Sequence, residues 1–269
     1  MEISLIQNIV YIFSSILFIT GIKMLGKEDT AVKGNFLSAI AMLVAVLVTF
    51  INISNPLILL AGIGLGAFIG SLIALKVKMT SIPEMVALFN GFGGLATFLI
   101  AWSEFNSTPD NLFQYILVMT TVYVGGITFT GSLVAYAKLS EKIQIAKTSI
   151  ITKLFTTIFY ISLAFLLYSA IVTPLLVTNF EFFTVLLVLT LLGGIGFVLP
   201  IGGGDMPVVI SLLNSLSGIA AAFAGLILLN NVLIVAGSLV GASGLILTII
   251  MAKAMNRSIG NILFVGYAS

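Results

Sequence analysis

The 269-residue sequence contains no cysteine and no histidine, and only 7% of its residues are charged. Without cysteine the chain forms no disulfide, performs no thiol chemistry and offers no thiolate metal ligand. Without histidine it supplies no imidazole ligand and no histidine proton relay, so any such group comes from another chain. Soluble domains carry about 25% charged residues, and so few charges cannot cover a globular surface. The net charge of +2 with scattered basic residues excludes the footprint of a nucleic-acid-binding protein.

Long apolar runs are what the chain has instead. Hydrophobic residues make up 60% of the sequence, and the mean hydropathy is +1.26. An apolar helix of about 20 residues crosses the hydrocarbon core of a bilayer. We therefore predict an all-α fold, a polytopic bundle of nine transmembrane helices in lipid. The first run has no small-residue cleavage site, so we interpret it as a mature helix. The predicted spans are 4–24, 34–53, 56–75, 83–102, 112–137, 152–173, 181–200, 206–229 and 231–255.

The charged residues predict an orientation for this bundle. With nine spans the loops alternate sides, and every Lys and Arg then falls on one side, while the other side holds only acids. Basic loop residues stay in the cytoplasm, so we expect the N-terminus outside and the C-terminus in the cytoplasm. The residues on the basic side are Lys23, Lys27, Lys33, Lys76, Lys78, Lys138, Lys142, Lys147, Lys153, Lys253 and Arg257, and the acids opposite are Glu2, Glu104, Asp110 and Glu181.

The sequence also contains an internal repeat. IPEMVALFNGFGGLA (82–96) and MPVVISLLNSLSGIA (206–220) share a proline, an asparagine and a glycine at the same spacing, and a weaker similarity links residues 125–132 with residues 236–243. This pattern predicts two helix pairs of the same orientation, related by an axis along the membrane normal. The alternative is convergence on sequences that pack well in membranes. The clearest pairs are Pro83 with Pro207, Asn90 with Asn214, and Gly94 with Gly218.

Asn90 and Asn214 are the polar residues that most need an explanation. Each lies seven residues after a proline, which places it about 10 Å into the membrane. A buried amide without a partner costs about 1–3 kcal/mol, so both asparagines must face protein or water. With Ser132 they lie on faces of small and polar residues, which indicate either close helix packing or a hydrated pathway. We favour the pathway here. An asparagine does not titrate, so it organises water or bonds to a titrating group.

Other small-residue and glycine-rich stretches have simpler interpretations. The Gly62, Gly66 and Gly70 row is typical of helix packing. The run GGIGFVLPIGGGD (193–205) follows no strand and opens a membrane helix, so it lacks the context of a dinucleotide loop. Asp205 either caps the next helix or is an acid at the cytoplasmic mouth of a pathway. We find no nucleophile–base pair, carboxylate pair or metal cluster, and so predict no catalytic, cofactor-binding or metal site in this chain.

Several long motifs resemble one known family, the membrane domain (domain II) of the β subunit of proton-translocating NAD(P) transhydrogenase. They are GGGDMPVVISLLNSLSGIAA (202–221), NNVLIVAGSLVGASG (230–244), IIMAKAMNRS (249–258), MTSIPEMVALFNGFGG (79–94) and TFTGSLVAYAKL (128–139). The resemblance runs over essentially the whole chain and is most specific in the last third.

This resemblance implies a function. The family is an oxidoreductase and translocase that couples hydride transfer between NADH and NADP to proton movement across the bacterial inner (plasma) membrane. NAD and NADP bind outside this chain, on an α-subunit domain and on a domain that follows the β membrane domain. Residues 1–258 would form the proton-translocating domain, and residues 259–269 would start the linker to the missing NADP-binding domain. The implied partners are α-subunit membrane helices, both nucleotide domains and a second αβ unit in a dimer.

The resemblance also implies roles for individual residues. Asn214 resembles the family's channel asparagine, Ser132 its channel serine, and Asp205 the acid at the cytoplasmic exit. Many members have a membrane histidine where this chain has Asn90, so either an α-subunit helix supplies the histidine or a water chain suffices. Relatives often have a second serine at Ala242, which weakens a hydroxyl role there. The expected packing or coupling positions are Gly125, Gly237, Gly241, Ser243 and Gly244.

Two other function classes stay open on the sequence. A secondary transporter for a small solute uses the same repeats and buried polar faces. A membrane scaffold without activity needs only the packing interpretation. Measured coupling of hydride transfer to proton uptake distinguishes the transhydrogenase function from the transporter.

Overall fold

The computed structural model describes residues 2–52, 56–106, 111–143, 149–172 and 180–264, and over these ranges it contains helices and no strand. The all-α prediction is therefore confirmed for this part of the chain. Asp110, Lys147 and the end of the predicted linker, 265–269, lie outside the described residues. The helices are α1 (Glu2–Leu25), α2 (Ala31–Thr49), α3 (Pro56–Lys76), α4 (Ile82–Asn106), α5 (Leu112–Leu139), α6 (Ile150–Val172), α7 (Phe180–Val198), α8 (Met206–Ile227), α9 (Asn231–Ala254) and α10 (Ile259–Phe264).

Nine of the described helices, α1 to α9, are long and apolar enough to cross a membrane, as the hydrophobic runs predicted. Side-chain caps fix two of the helix starts, because the first amides of a helix have no partner within it. Asn111 accepts from the backbone N–H of Gln114 at 2.9 Å, and Asn230 accepts from that of Leu233 at 3.0 Å. The Asn230 cap separates α8 from α9, where the sequence offers only a short turn. The orientation of the termini stays a prediction.

The helices pack as hairpins around a central helix. Consecutive helices pair as α1 with α2, α4 with α5, α6 with α7, and α8 with α9. The central helix is α5, which also contacts α7 and α8, while α4 contacts α8. One buried cluster surrounds the start of α5 and includes Tyr115 and Phe183. A second surrounds its end and includes Val134, Val198 and Met206. Residues near the middle of α5 therefore lie between two buried apolar clusters.

Glycines set the distance between helices in both predicted repeat pairs. Gly94 and Gly218 occupy equivalent repeat positions, and each lies against a glycine of the following helix. A Cβ atom placed on Gly218 would lie 2.7 Å from the Cα of Gly241 and 2.8 Å from the carbonyl oxygen of Gly237. Such close backbone contact is typical of small-residue interfaces between membrane helices. The packing role predicted for Gly237 and Gly241 thus has a physical basis in the α8–α9 contact.

The small-residue row of α3 behaves differently. A Cβ atom on Gly62, Gly66 or Gly70 would meet nothing within 4 Å, and α3 has no buried residue. The expected packing of this row is therefore not made against the described part of the chain. The sequence therefore indicates a flat packing surface on α3 but not what packs against it. Helix α3 makes few contacts with the helix hairpins.

The segment after α9 is partly folded. Within the stretch predicted to start a linker, α10 packs against the end of the bundle that is predicted to face the cytoplasm, and Ile262 is buried in the cluster that contains Met206 and Ala252. The first residues after Arg257 are therefore held against α8 and α9.

Candidate functional site

Three polar side chains from three helices meet inside the bundle. The Nδ2 of Asn90 on α4 donates to the Oγ of Ser132 on α5 at 2.9 Å. The Oγ of Ser217 on α8 donates to the Oδ1 of Asn90 at 2.9 Å. Ser132 is fully buried, while Asn90 and Ser217 are half-buried. We call these three residues the polar cluster. Ser217 lies 11 residues after the start of α8, about 16 Å along the helix axis, near the middle of a hydrocarbon core of about 30 Å.

Backbone geometry brings Asn90 and Ser132 together. Gly91 follows Asn90, and a Cβ atom there would lie 3.2 Å from the Cβ of Ser132 and 3.3 Å from the carbonyl oxygen of Phe129. The lack of a side chain at Gly91 therefore lets α4 approach α5 closely at this level. Because buried polar groups are costly without partners, the short crossing makes the amide–hydroxyl bond available where water is scarce.

The hydrogen bonds in the cluster have a defined direction. The amide of Asn90 donates only through its nitrogen and accepts only through its oxygen. Both groups are occupied, the nitrogen by Ser132 and the oxygen by Ser217. Ser132 accepts from Asn90, and no described residue accepts its own hydroxyl hydrogen. The cluster can therefore extend by one more acceptor at Ser132.

Asn214, the predicted channel asparagine, is not part of the cluster. It lies three residues before Ser217 on α8, about 4.5 Å along the axis, and is half-buried. Its side chain forms no hydrogen bond with the described residues. The repeat thus pairs two asparagines that differ in environment, because Asn90 has its donor and acceptor filled from within the chain and Asn214 does not. The pathway role of both residues stays a prediction.

Of the predicted coupling residues on α9, the three glycines lie in the α8–α9 contact and Ser243 lies on the surface. The Oγ of Ser215 donates to the carbonyl oxygen of Gly241 at 2.6 Å, and that of Ser211 donates to that of Gly244 at 3.1 Å. These bonds cross between helices, where Gly237 also lies. Ser243 is exposed, and its hydroxyl donates to the carbonyl oxygen of Val240 on its own helix at 3.1 Å.

Asp205 lies at the end of the bundle that the charge pattern predicts to face the cytoplasm. It occupies the N-cap position of α8, but its side chain makes no cap hydrogen bond. Its Oδ2 instead accepts from the guanidinium of Arg257 at 3.0 Å. The Asp205 side chain is 11% exposed and the Arg257 side chain 53% exposed, so the carboxylate is buried beneath a partly solvated cation. An ion pair thus takes the place of a side-chain cap, one of the two roles considered for Asp205, and its pathway role stays a prediction.

Sequence reasoning missed two of these residues. Ser217 was hidden by the repeat, which directed attention to Asn214, although both lie on one side of α8 at helical spacing. Arg257 was assigned only to the cytoplasmic side, and its contact with Asp205 spans 52 residues of sequence. In the described ranges no group of three or more acidic residues is placed to hold a metal ion.

A bundle of membrane-length helices with a polar cluster near mid-depth defines a multi-pass membrane protein with a specialised interior. The family model described as NAD(P) transhydrogenase beta subunit matches residues 7–269. The chain belongs to this family, which confirms the resemblance noted in its motifs.

Two curated relatives agree with the family model. Both are described as NAD(P) transhydrogenase subunit beta from Rhodospirillum rubrum, and each is 35% identical over 270 residues. The alignments cover 96% of this chain and 58% of each relative. The chain therefore spans a little over half the length of these relatives. The family does not favour a secondary transporter for a small solute.

Proposed function

We propose that this chain is the proton-translocating membrane part of an NAD(P) transhydrogenase complex. In this function proton movement through the helices is coupled to hydride transfer between NADH and NADP on soluble domains outside these residues. The observation that carries the proposal is the bridge from Asn90 to Ser132 and Ser217, which joins α4, α5 and α8 inside the membrane. Family membership supports the reaction to which this polar interior would be coupled.

Helix α8 provides the axis of the proposed path. Asp205 stands before its first turn, and Asn214 and Ser217 follow on the same helix. Asp205 and Ser217 are 12 residues apart, about 18 Å along a helix axis. The ion pair with Arg257 supports the presence of an acid at the proposed cytoplasmic mouth. A proton entering beside Asp205 would pass Asn214 before it reaches the polar cluster.

A second subunit completes this path in our proposal. Asn214 is half-buried at membrane depth with no partner among the described residues, and a polar side chain at such depth faces protein or water rather than lipid. Because an asparagine does not titrate and this chain has no histidine, the proton-carrying group at this depth comes from an α-subunit helix or is a chain of water molecules. In this proposal the α-subunit helix or the water chain lies against the side chain of Asn214.

The rest of the complex follows the same proposal. The α subunit contributes membrane helices and an NAD-binding domain, an NADP-binding domain lies at the cytoplasmic face, and two αβ units form a dimer. The basic loops support a cytoplasmic position for that face, with the N-terminus outside, in a bacterial inner membrane. Gly125, Gly237, Gly241 and Gly244 hold the helices close enough to transmit movement between the cluster and the cytoplasmic end.

Proton coupling in the whole complex tests the proposal. Complexes carrying Asn90→Leu or Asn214→Leu are reconstituted in proteoliposomes, and protons taken up per hydride transferred are measured. Leucine removes the polar group at similar size, so we expect this ratio to fall while the nucleotide sites stay occupied. Phe92→Leu is the control, because Phe92 is exposed on the same helix as Asn90. A wild-type ratio in both asparagine variants would contradict the proposed path.

A further inference from the structure

Lys138 in the last turn of α5 binds the end of a different helix. Its Nζ donates to the carbonyl oxygens of Leu199 at 2.5 Å and of Ile201 at 2.6 Å, and it lies 3.5 Å from that of Val198. The lysine is half-buried. One ammonium group thus faces the backbone carbonyls of three residues within a four-residue stretch, at the point where α7 ends.

Two of these carbonyls, those of Leu199 and Ile201, need a donor from elsewhere, whereas that of Val198 also accepts from the backbone N–H of Ile201 at 3.1 Å. The last carbonyls of a helix have no amide partner within it, and α7 ends at Val198. Leu199 and Ile201 are only 3% and 2% exposed, so water has little access to this turn. A cation at a helix C-terminus is favourable, and hydrogen bonds from a charged donor are among the stronger ones in proteins. Lys138 therefore fixes a turn that is otherwise short of donors.

The turn held by Lys138 leads directly to Asp205. Only Gly202, Gly203 and Gly204 separate it from Ile201. The backbone N–H of Asp205 donates to the carbonyl oxygen of Gly202 at 3.1 Å, which continues the turn into α8. Gly203 and Gly204 are exposed and would have nothing within 4 Å of an added Cβ atom. The glycines themselves give the link little rigidity, so its position depends on what holds its two ends.

Lys138 also lies on the helix that carries Ser132. The two residues are six positions apart on α5, about 9 Å along the axis. The two ends of the α7–α8 link are thus attached to different helices, the first to α5 through Lys138 and the second to the segment after α9 through Arg257. A shift of α5 at the level of the polar cluster would therefore act on the link to Asp205 through this lysine.

We propose that Lys138 is a positioning residue for Asp205, which ties the α7–α8 link to α5 and so sets where the carboxylate meets Arg257. The inference rests on the proposed function for the role of Asp205 in proton movement. The contact itself is independent of that role. Two experiments therefore separate the mechanical part of the inference from the functional part.

The first experiment measures how often the start of the α7–α8 link moves away from Lys138 and becomes accessible to solvent. The chain has no cysteine, so Ile201→Cys introduces a single buried thiol whose backbone carbonyl still faces Lys138. In the full complex we expect a water-soluble maleimide to label this thiol about tenfold faster when Lys138→Met is added, a change of about 1.4 kcal/mol in the opening equilibrium. Gly203→Cys, at an exposed position, gives the rate for an open site and should not change.

Matched variants make this result specific to Lys138. Lys142→Met is the control, because Lys142 is exposed just after α5 and its side chain bonds, among the described residues, only to the hydroxyl of Tyr136 in the last turn of that helix, at 3.0 Å. Lys138→Arg keeps the charge and donors and should keep labelling slow. If Lys138→Met yields no folded complex, Lys138→Gln replaces it, with the same expected increase. Equal labelling of Ile201→Cys with and without the lysine change would overturn the inference.

The second experiment tests whether Lys138 acts through Asp205. Protons taken up per hydride transferred are measured in proteoliposomes for Lys138→Met, Asp205→Asn and the double variant. We expect Lys138→Met to lower the ratio and to add nothing in the Asp205→Asn background. Losses that multiply in the double variant would overturn the positioning role. A wild-type ratio in Asp205→Asn would instead contradict the proposed function of Asp205, and the labelling rates would still decide the mechanical contact.

Discussion

Gly94 and Gly125 lie in reciprocal backbone contact where α4 crosses α5. A Cβ atom on Gly94 would lie 2.9 Å from the carbonyl oxygen of Gly125, and one on Gly125 would lie 2.9 Å from that of Gly94. The crossing is one helical turn from Asn90, so it sets the distance across which the amide reaches Ser132. The polar cluster therefore depends on two residues that contribute no side chain to it.

Alanine at Gly94 should separate the two helices. The new methyl group would meet backbone atoms of Gly125 and Phe129, which cannot rotate away, so we expect a loss of about 1–3 kcal/mol and a lower melting temperature of the purified complex. Gly93→Ala is the matched control, because nothing lies within 4 Å of its Cβ position. It should be neutral or stabilising by up to about 1 kcal/mol. Equal melting temperatures for the two variants would show that α4 and α5 can separate without cost.

Removing the hydroxyl of Ser215 should weaken the α8–α9 contact. Its bond to the carbonyl oxygen of Gly241 at 2.6 Å crosses between the helices, and such bonds contribute about 0.6 kcal/mol on average in a membrane. We expect Ser215→Ala to destabilise the complex by roughly that amount in denaturant titrations. Ser243→Ala should have no effect, since that hydroxyl is exposed and bonds within α9. A larger loss for Ser243→Ala would show that another chain covers this face.

The polar cluster should behave as one unit centred on Asn90. Ser132→Ala and Ser217→Ala each remove one of its two hydrogen bonds, and we expect each to cost about 0.6–1.7 kcal/mol of stability. In an Asn90→Ala background both losses should nearly vanish, which a double-mutant cycle measures directly.

Thr157→Ala controls for the loss of any hydroxyl, because Thr157 is exposed and bonds only within α6. Serine effects that are unchanged without Asn90 would mean that each hydroxyl has a separate partner in the complex.

Reversing the charges of Asp205 and Arg257 should restore what either single reversal loses. The carboxylate is largely buried and the guanidinium is half-exposed, so we expect Arg257→Asp to cost about 1–3 kcal/mol and Asp205→Arg to cost a similar amount. The double variant should recover at least half of the loss in thermal melts. Lys253→Asp, an exposed change in the last turn of α9, should cost no more than about 1 kcal/mol. Additive losses in the double variant would contradict a direct pair.

The membrane spans were predictable because length and hydropathy alone decide whether a helix can cross a bilayer. The observed α5 (Leu112–Leu139) starts at the predicted residue and ends two residues later than predicted. The sequence also indicated that Asn90 needs a partner, since the cost of a bare amide does not depend on the fold. These predictions use properties of single helices.

The rotation of α8 about its axis was not predictable in the same way. Asn214 and Ser217 are three residues apart and both are polar, so periodicity places either one near α4. The packing of α8 against α4 and α5 selects Ser217, and that packing is a tertiary property. The partner of Asp205 was hidden for a similar reason, because a nearby cap position suggested a local bond while the structure pairs it with Arg257.

The direction of the hydrogen bonds at Asn90 limits how charge can travel through the membrane. A proton that hops along a row of hydroxyls reverses each bond as it passes, and a hydroxyl permits this by rotating. An amide cannot, because its nitrogen only donates and its oxygen only accepts. The series from Ser217 through Asn90 to Ser132 therefore has one fixed direction and does not relay a proton by itself. In the proposed path these three side chains would hold the carrier in place, and a proton would pass them only on a water molecule or on a side chain from outside this chain.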